Sequence, residues 1–189
     1  MEQPKLSALF GHSSAATPEL AHILGVSLAT EANPDLELAI FAMNAQSGLD
    51  QNTIDLWHSF DDFLTPRILL ITGLDEGEQD FDDAVLIARR VLDEVVTPYL
   101  VLHDDSGKPA GLISLVDSQV IDYEKNENRV ADEDLVILVS EFKSEYLSQL
   151  DAFGADGFEN GILFPAIPVI LPKIGVDVVK RYLHLITKR

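Results

Sequence analysis

The chain has no cysteine, which excludes disulfides and thiolate metal sites and fits a reducing compartment. It is also short of cations: 13 Lys and Arg stand against 32 Asp and Glu, for a formal net charge of −19. Such a surface repels phosphate backbones, so direct nucleic-acid binding is not expected. Solubility or a salty cytoplasm accounts for the charge without any partner; the sharper expectation is a basic protein partner. No apolar run approaches the roughly 20 residues of a membrane span. Met1-Glu2-Gln3-Pro4 lacks the basic start and apolar block of a signal peptide. The expected location is the cytoplasm, with no membrane contact. His12, His22, His58, His103 and His184 show no metal-ligand spacing, and Ser13 and Ser14 have no base beside them in the sequence. The acidic run Asp75–Asp83 departs from the calcium-loop pattern and reads as a helix cap with a solvated loop. No metal and no cofactor are expected.

What is present is the material of a core. With 189 residues, 47% of them apolar and 24% charged, the chain suits one domain, or one domain with a lobe. Its centre is Arg67–Asp83. Arg67-Ile68-Leu69-Leu70-Ile71-Thr72 is an apolar β run that breaks at Gly73, followed by the acidic loop Asp75-Glu76-Gly77-Glu78. Asp80 then opens a helical pattern, with Asp83 placed as in a capping box. A strand spilling into a loop at its carboxyl end is where open α/β sheets put their ligands.

Upstream, Pro4–Phe10 reads as a short strand ending at Gly11. A small-residue loop follows, and Thr17-Pro18-Glu19 opens a helix with Thr17 as the expected N-cap. Leu36–Met43 is a second strand; Asp50 caps a helix expected to reach Leu64, with Trp57, Phe60 and Phe63 in the core. The helix from Asp80 is expected to continue through Val95. From Thr97 the period changes to strands at 98–103 and 110–117 around Asp104-Asp105-Ser106-Gly107, with 120–123 extending the second. Glu124–Arg129 reads as a polar excursion, a stretch beginning at Asp132 or Asp134 and reaching about Leu150 as one helix, 163–171 as the last strand, and Gly175–Thr187 as a closing helix.

Strand, glycine, small loop and helix make up the layout of a phosphate-binding loop, G-x-x-x-x-G-K-[ST]. Laid from Gly11, the second glycine falls on Ala16, the lysine on Thr17 and the hydroxyl residue on Pro18. In order and spacing, PDLELAIFAMNAQSGLDQNTIDLWHSF, PRILLITGLDEGEQDFDDAV, GLISLVDSQVIDY and LFPAIPVILPKIGVDVVKRYL resemble the GTPase domain of bacterial elongation factor G. The resemblance implies a P-loop-GTPase-like α/β fold, with a mostly parallel sheet flanked by helices. It implies a G-like domain over 1–96 and 162–189, and a small α+β inserted lobe over 97–161.

The departures from the family decide the expected function. In its N-K-x-D base-recognition motif, Asn corresponds to Thr72, Lys to Gly73, and only Asp75 remains; Val169-Ile170 replaces the S-A motif. Losing the lysine and adding Glu19 would each weaken phosphate binding by on the order of 2 kcal/mol. Thr30–Asp35 stands where the family has its switch strands, magnesium ligands and water-positioning residue, so phosphoryl transfer is not expected. The remnant nucleotide site is Gly11, Ala16, Thr17, Pro18, Thr72, Gly73 and Asp75. The implied protein is a non-catalytic, pseudo-GTPase domain with a protein partner, basic or ribosome-associated. The alternative is a binder or enzyme for another small ligand in the old crevice. Loss of the switch strands should leave Lys5–Phe10 at the sheet edge, covered by a second copy in a homodimer or by the Thr30–Asp35 loop.

Overall fold

The computed structural model describes residues 6–92 and 94–187. The chain begins with β1 (Ser7–Gly11), α1 (Thr17–Leu24), β2 (Ser27–Leu28) and β3 (Leu38–Asn44). It continues through α2 (Gln51–His58), β4 (Arg67–Thr72), α3 (Phe81–Val91) and β5 (Val95–Val96). Then come β6 (Tyr99–His103), β7 (Pro109–Ser114), β8 (Gln119–Asp122), β9 (Glu127–Val130), α4 (Glu133–Leu138) and α5 (Ser140–Phe153). β10 (Phe164–Pro168) and α6 (Val176–Thr187) follow. One sheet has the order β2-β1-β3-β4-β10-β5 with every neighbouring pair parallel. The other is antiparallel, β6-β7-β8-β9. The fold is thus α/β, a parallel sheet flanked by helices and joined by an antiparallel sheet.

β3 and β4 are buried along their whole length, as strands covered on both faces must be. Their side chains alternate. Leu38, Ile40, Ala42, Ile68 and Leu70 face Leu20 and Leu24 of α1 and Val178 and Val179 of α6. Ala39, Phe41, Met43, Leu69 and Ile71 face Trp57, Phe60 and the Phe81, Ala84, Val85 and Ala88 stripe of α3. On this second side Phe10 stacks on Phe41 at 5.0 Å, and Phe41 meets Trp57 edge-on at 5.0 Å. Each fully buried ring contributes about 1.5–3 kcal/mol through area alone.

Arg67 opens β4 and is 1% exposed. Its Nη1 donates to the Trp57 carbonyl at 2.7 Å and to Asp61 Oδ1 at 2.6 Å. The guanidinium carbon lies 4.9 Å from the Trp57 ring centre and 4.2 Å from that of Phe164. A planar, weakly hydrated cation between two aromatic faces is a role a lysine could not fill. It also explains why the expected helix to Leu64 stops at His58: the chain turns through a 3-10 segment, Asp61–Phe63, that carries Asp61 back to Arg67. Trp57 and Phe60 are core, as expected, but Phe63 is left 50% exposed by this turn.

Other boundaries also move. The helix capped by Asp80 ends at Val91, and Val95 belongs to β5, where it pairs with β10. Glu124–Arg129 is not irregular throughout. It contains most of β9, whose four side chains are all exposed and so leave no alternation in the sequence. The expected single helix over 132–150 breaks at buried Val139 into α4 and α5. The antiparallel sheet packs Leu100, Ile113, Leu115 and Val120 against Val139 and Tyr146. The turn after β8 reaches α6: Tyr123 hydrogen-bonds Asp177, and Gly175 N donates to the Tyr123 hydroxyl at 3.1 Å.

The first strand is not the sheet edge. Ala8 and Leu9 pair with Ser27 and Leu28, and Ala29 N donates to Leu9 O at 3.0 Å. The covering segment thus precedes the Thr30–Asp35 loop expected to do this, and a two-residue edge strand is itself blunt. Pairing of β1 with a second copy would first have to displace β2. Pro4 and Lys5, expected at the head of the strand, lie outside the described residues.

Arg67→Ala should cost about 3 kcal/mol by opening a gap between two rings and removing the charged donor from the Trp57 carbonyl, which keeps its bond from Phe60 N. That corresponds to a Tm lower by roughly 6–12 °C in a thermal melt. A Tm within about 1 °C of the parent would show that the buried guanidinium contributes nothing net.

Candidate functional site

The carboxyl ends of β1, β3, β4 and β10 meet at a crevice of about 150 Å³. Among the residues expected from sequence, Ala16, Thr72, Gly73 and Asp75 line it, together with Val169 and Ile170. Gly11 lies beneath, with φ 144°; a Cβ there would sit 2.5 Å from Ala42 O and 3.3 Å from the Thr17 methyl. Pro18 is exposed and contributes nothing to the lining.

The loop after β1 is closed on itself. Ser14 N donates to His12 Nδ1 at 3.2 Å, Ala15 N to His12 O at 3.0 Å, and Ala16 N to Ser13 O at 3.1 Å. A phosphate-binding loop works by leaving consecutive N–H groups free to converge on an anion. Here three of them are spent in a 3-10 turn, Ser13–Ala15. Thr17 is not the N-cap. Ala16 holds that place in the left-handed conformation without a side-chain bond, while Thr17 is buried with its methyl turned toward Gly11.

The loop after β4 is held by two residues not singled out from the sequence. Asn44 is 6% exposed; its Nδ2 donates to Ser14 O and to Glu76 Oε2, both at 2.9 Å. Its Oδ1 accepts from Gln46 N at 2.8 Å. Gln46 Nε2 in turn donates to Gly73 O and Gln79 O, each at 2.9 Å. Gly73 has φ 69°, and a Cβ there would meet Asn44 at 2.6 Å, so the amide can close over this loop only because the residue is glycine. The one available signal was a polar residue ending an otherwise apolar strand. Thr72 is buried and donates to Met43 O at 3.3 Å.

No family model matches the chain. A crystal structure of ttk003000868 from Thermus thermophilus superposes with a TM-score of 0.63 at 20% identity, over 94% of this chain and 28% of that one. The likeness is one of fold. The present chain spans little more than a quarter of that protein's length.

Electrostatically the crevice is hostile to anions. Glu19, Asp75 and Glu76 line it and no Lys or Arg does. At about 150 Å³ it also falls below the ~300 Å³ at which pockets for drug-sized ligands begin. Among the described residues no three His, Asp or Glu side chains are placed to hold a metal ion.

Asn44→Ala should release both loops together. We expect amide exchange to speed up across 12–16 and 73–79 while β3 and β4 stay protected, with a stability loss on the order of 2 kcal/mol. Unchanged exchange in those loops would mean that the backbone turns hold them without the amide.

Proposed function

We propose that this chain is a non-catalytic, elongation-factor-G-like domain, a pseudo-GTPase that acts through protein contacts in the cytoplasm. The observation that carries the proposal is the closed first loop, whose Ser14, Ala15 and Ala16 N–H groups are already bonded. Binding a nucleotide there would require breaking these bonds and bringing phosphates beside Glu19. The connection between α1 and β3, residues 25–37, is short and gives two of its residues to β2, leaving little chain for magnesium ligands or a water-positioning residue. The net charge of −19 favours a basic protein over ribosomal RNA as the partner, even in a translation-linked setting. The rival reading, a different small ligand in the same crevice, is weakened by its size and its carboxylates. A thermal-shift screen of nucleotides and metabolites separates the two, since any tight ligand of the folded state raises Tm.

Calorimetry with GTP or GDP and magnesium should give no heat of binding at millimolar nucleotide. A micromolar dissociation constant would sink the proposal. The combined change Ala16→Gly, Thr17→Lys and Pro18→Thr rebuilds the loop motif and should still give no turnover. Hydrolysis above background in that variant would show that the missing switch segments are dispensable.

A further inference from the structure

A second concavity, of about 220 Å³, lies across the β4–α3 loop from the crevice, with Leu74 facing it where Gly73 and Asp75 face the crevice. Four consecutive residues of β6, Leu100–His103, line it together with apolar side chains of α3, α4 and α5. Consecutive strand residues point to opposite faces, so a groove touching all four runs along the strand's edge. β6 is the outer strand of its sheet and pairs only with β7. Leu115 N donates to Pro98 O, which fixes the phase: Leu100 and Leu102 bond toward β7, and Val101 turns its N–H and C=O the other way. Among the described residues no backbone group pairs with that side of Val101.

The rest of the lining is apolar or acidic. Leu138 is 73% exposed and Phe142 41%, large side chains left in water at the groove. Asp80 and Asp82 also line it, without any Lys or Arg, and no ion pair engages Asp80, Asp82 or Asp83 among the described residues.

We propose that this groove receives an extended, alternately apolar and basic segment of a partner protein, which adds to β6 as a further strand. Strand addition supplies the partner that Val101 lacks, places apolar side chains against Leu138 and Phe142, and brings cations to the α3 carboxylates. Partial desolvation and the neighbouring Asp80 and Asp83 raise the Asp82 carboxyl above its usual range, against a smaller opposing pull from Arg89, so a further cation there relieves remaining repulsion. An amphipathic helix fits less well: it is about 10–12 Å across, and its own satisfied backbone could not use the strand edge. The register shift between Leu102 and His103 keeps the added strand short. The inference names one surface for the protein contacts proposed above and rests on that reading.

The test uses the full chain and a fluorescent, end-blocked hexapeptide, Lys-Val-Lys-Leu-Lys-Val, in an anisotropy titration. Saturable binding is expected, weakening as salt rises from about 50 to 300 mM. N-methylation of alternate peptide residues should weaken it roughly tenfold, the worth of one or two backbone hydrogen bonds. Val101→Pro removes the outward N–H at an edge position that tolerates proline, and should cost a similar factor; Leu138→Ser, at an exposed site, should also weaken binding. If the proline variant does not fold, the N-methylated peptide on the unaltered chain decides alone. No binding, equal binding of the N-methylated peptide, full binding by a folded Val101→Pro, or tighter binding of a helix-locked peptide of the same composition would each overturn strand addition. Failure here leaves the calorimetric result untouched, and nucleotide binding would defeat the broader reading without bearing on the groove.

Discussion

The parallel pairing of β3 with β4 is the constraint on which the remaining structure depends. The register runs unbroken from Ala39 opposite Arg67 to Asn44 opposite Thr72. Since side chains alternate at every residue, that register decides at once which face each helix covers. A slip of one residue would put Phe41 and Leu69 on opposite faces of the sheet and split the aromatic cluster around Trp57. The same register places Arg67 at one end, among aromatic rings, and Asn44 at the other, between two loops.

The two ends are chemically opposite. At the amino end a cation is withdrawn from water and held by rings, a carbonyl and one partly exposed carboxylate. At the carboxyl end no Lys or Arg lines the crevice, and a neutral amide ties the loops where an open α/β sheet would ordinarily receive a ligand. Each polar bond made inside that crevice stabilises the loops and removes a donor from recognition. The chain's own amide and carbonyl groups fill the hydrogen-bonding positions of the two loops.

Much of this was legible in the sequence, and the failures have physical causes. Apolar runs such as Arg67–Thr72 declare buried parallel strands, and Asp50, Asp80 and Asp132 declare helix starts because each carboxylate accepts an N–H three residues on. Boundaries set by tertiary contact were not legible: α2 stops at His58 because Asp61 turns back to Arg67, and Val95 leaves helical spacing to pair with β10. β9 was invisible because exposed strand residues carry no apolar alternation. In the site, the spacing of Ala16, Thr72, Gly73 and Asp75 pointed to the carboxyl-end crevice that they line. Asn44 and Gln46 could not be read by spacing, since their partners lie 27–33 positions away in the chain.

A backbone group that is satisfied internally is closed to a partner, and one left unpaired at a sheet edge is open to it. By that criterion the loop after β1 is closed and the outer edge of β6 is open. The first loop, where free N–H groups would invite an anion, has paired them; β6, where pairing would close the sheet, has left Val101 unpaired beside exposed leucine and phenylalanine. The charge follows the same division. Carboxylates at the crevice oppose the only ligands its architecture would favour, whereas carboxylates at the β6 groove complement a cationic chain. The proposed strand addition places recognition at the β6 edge because backbone polarity, apolar surface and charge there all favour the same kind of partner.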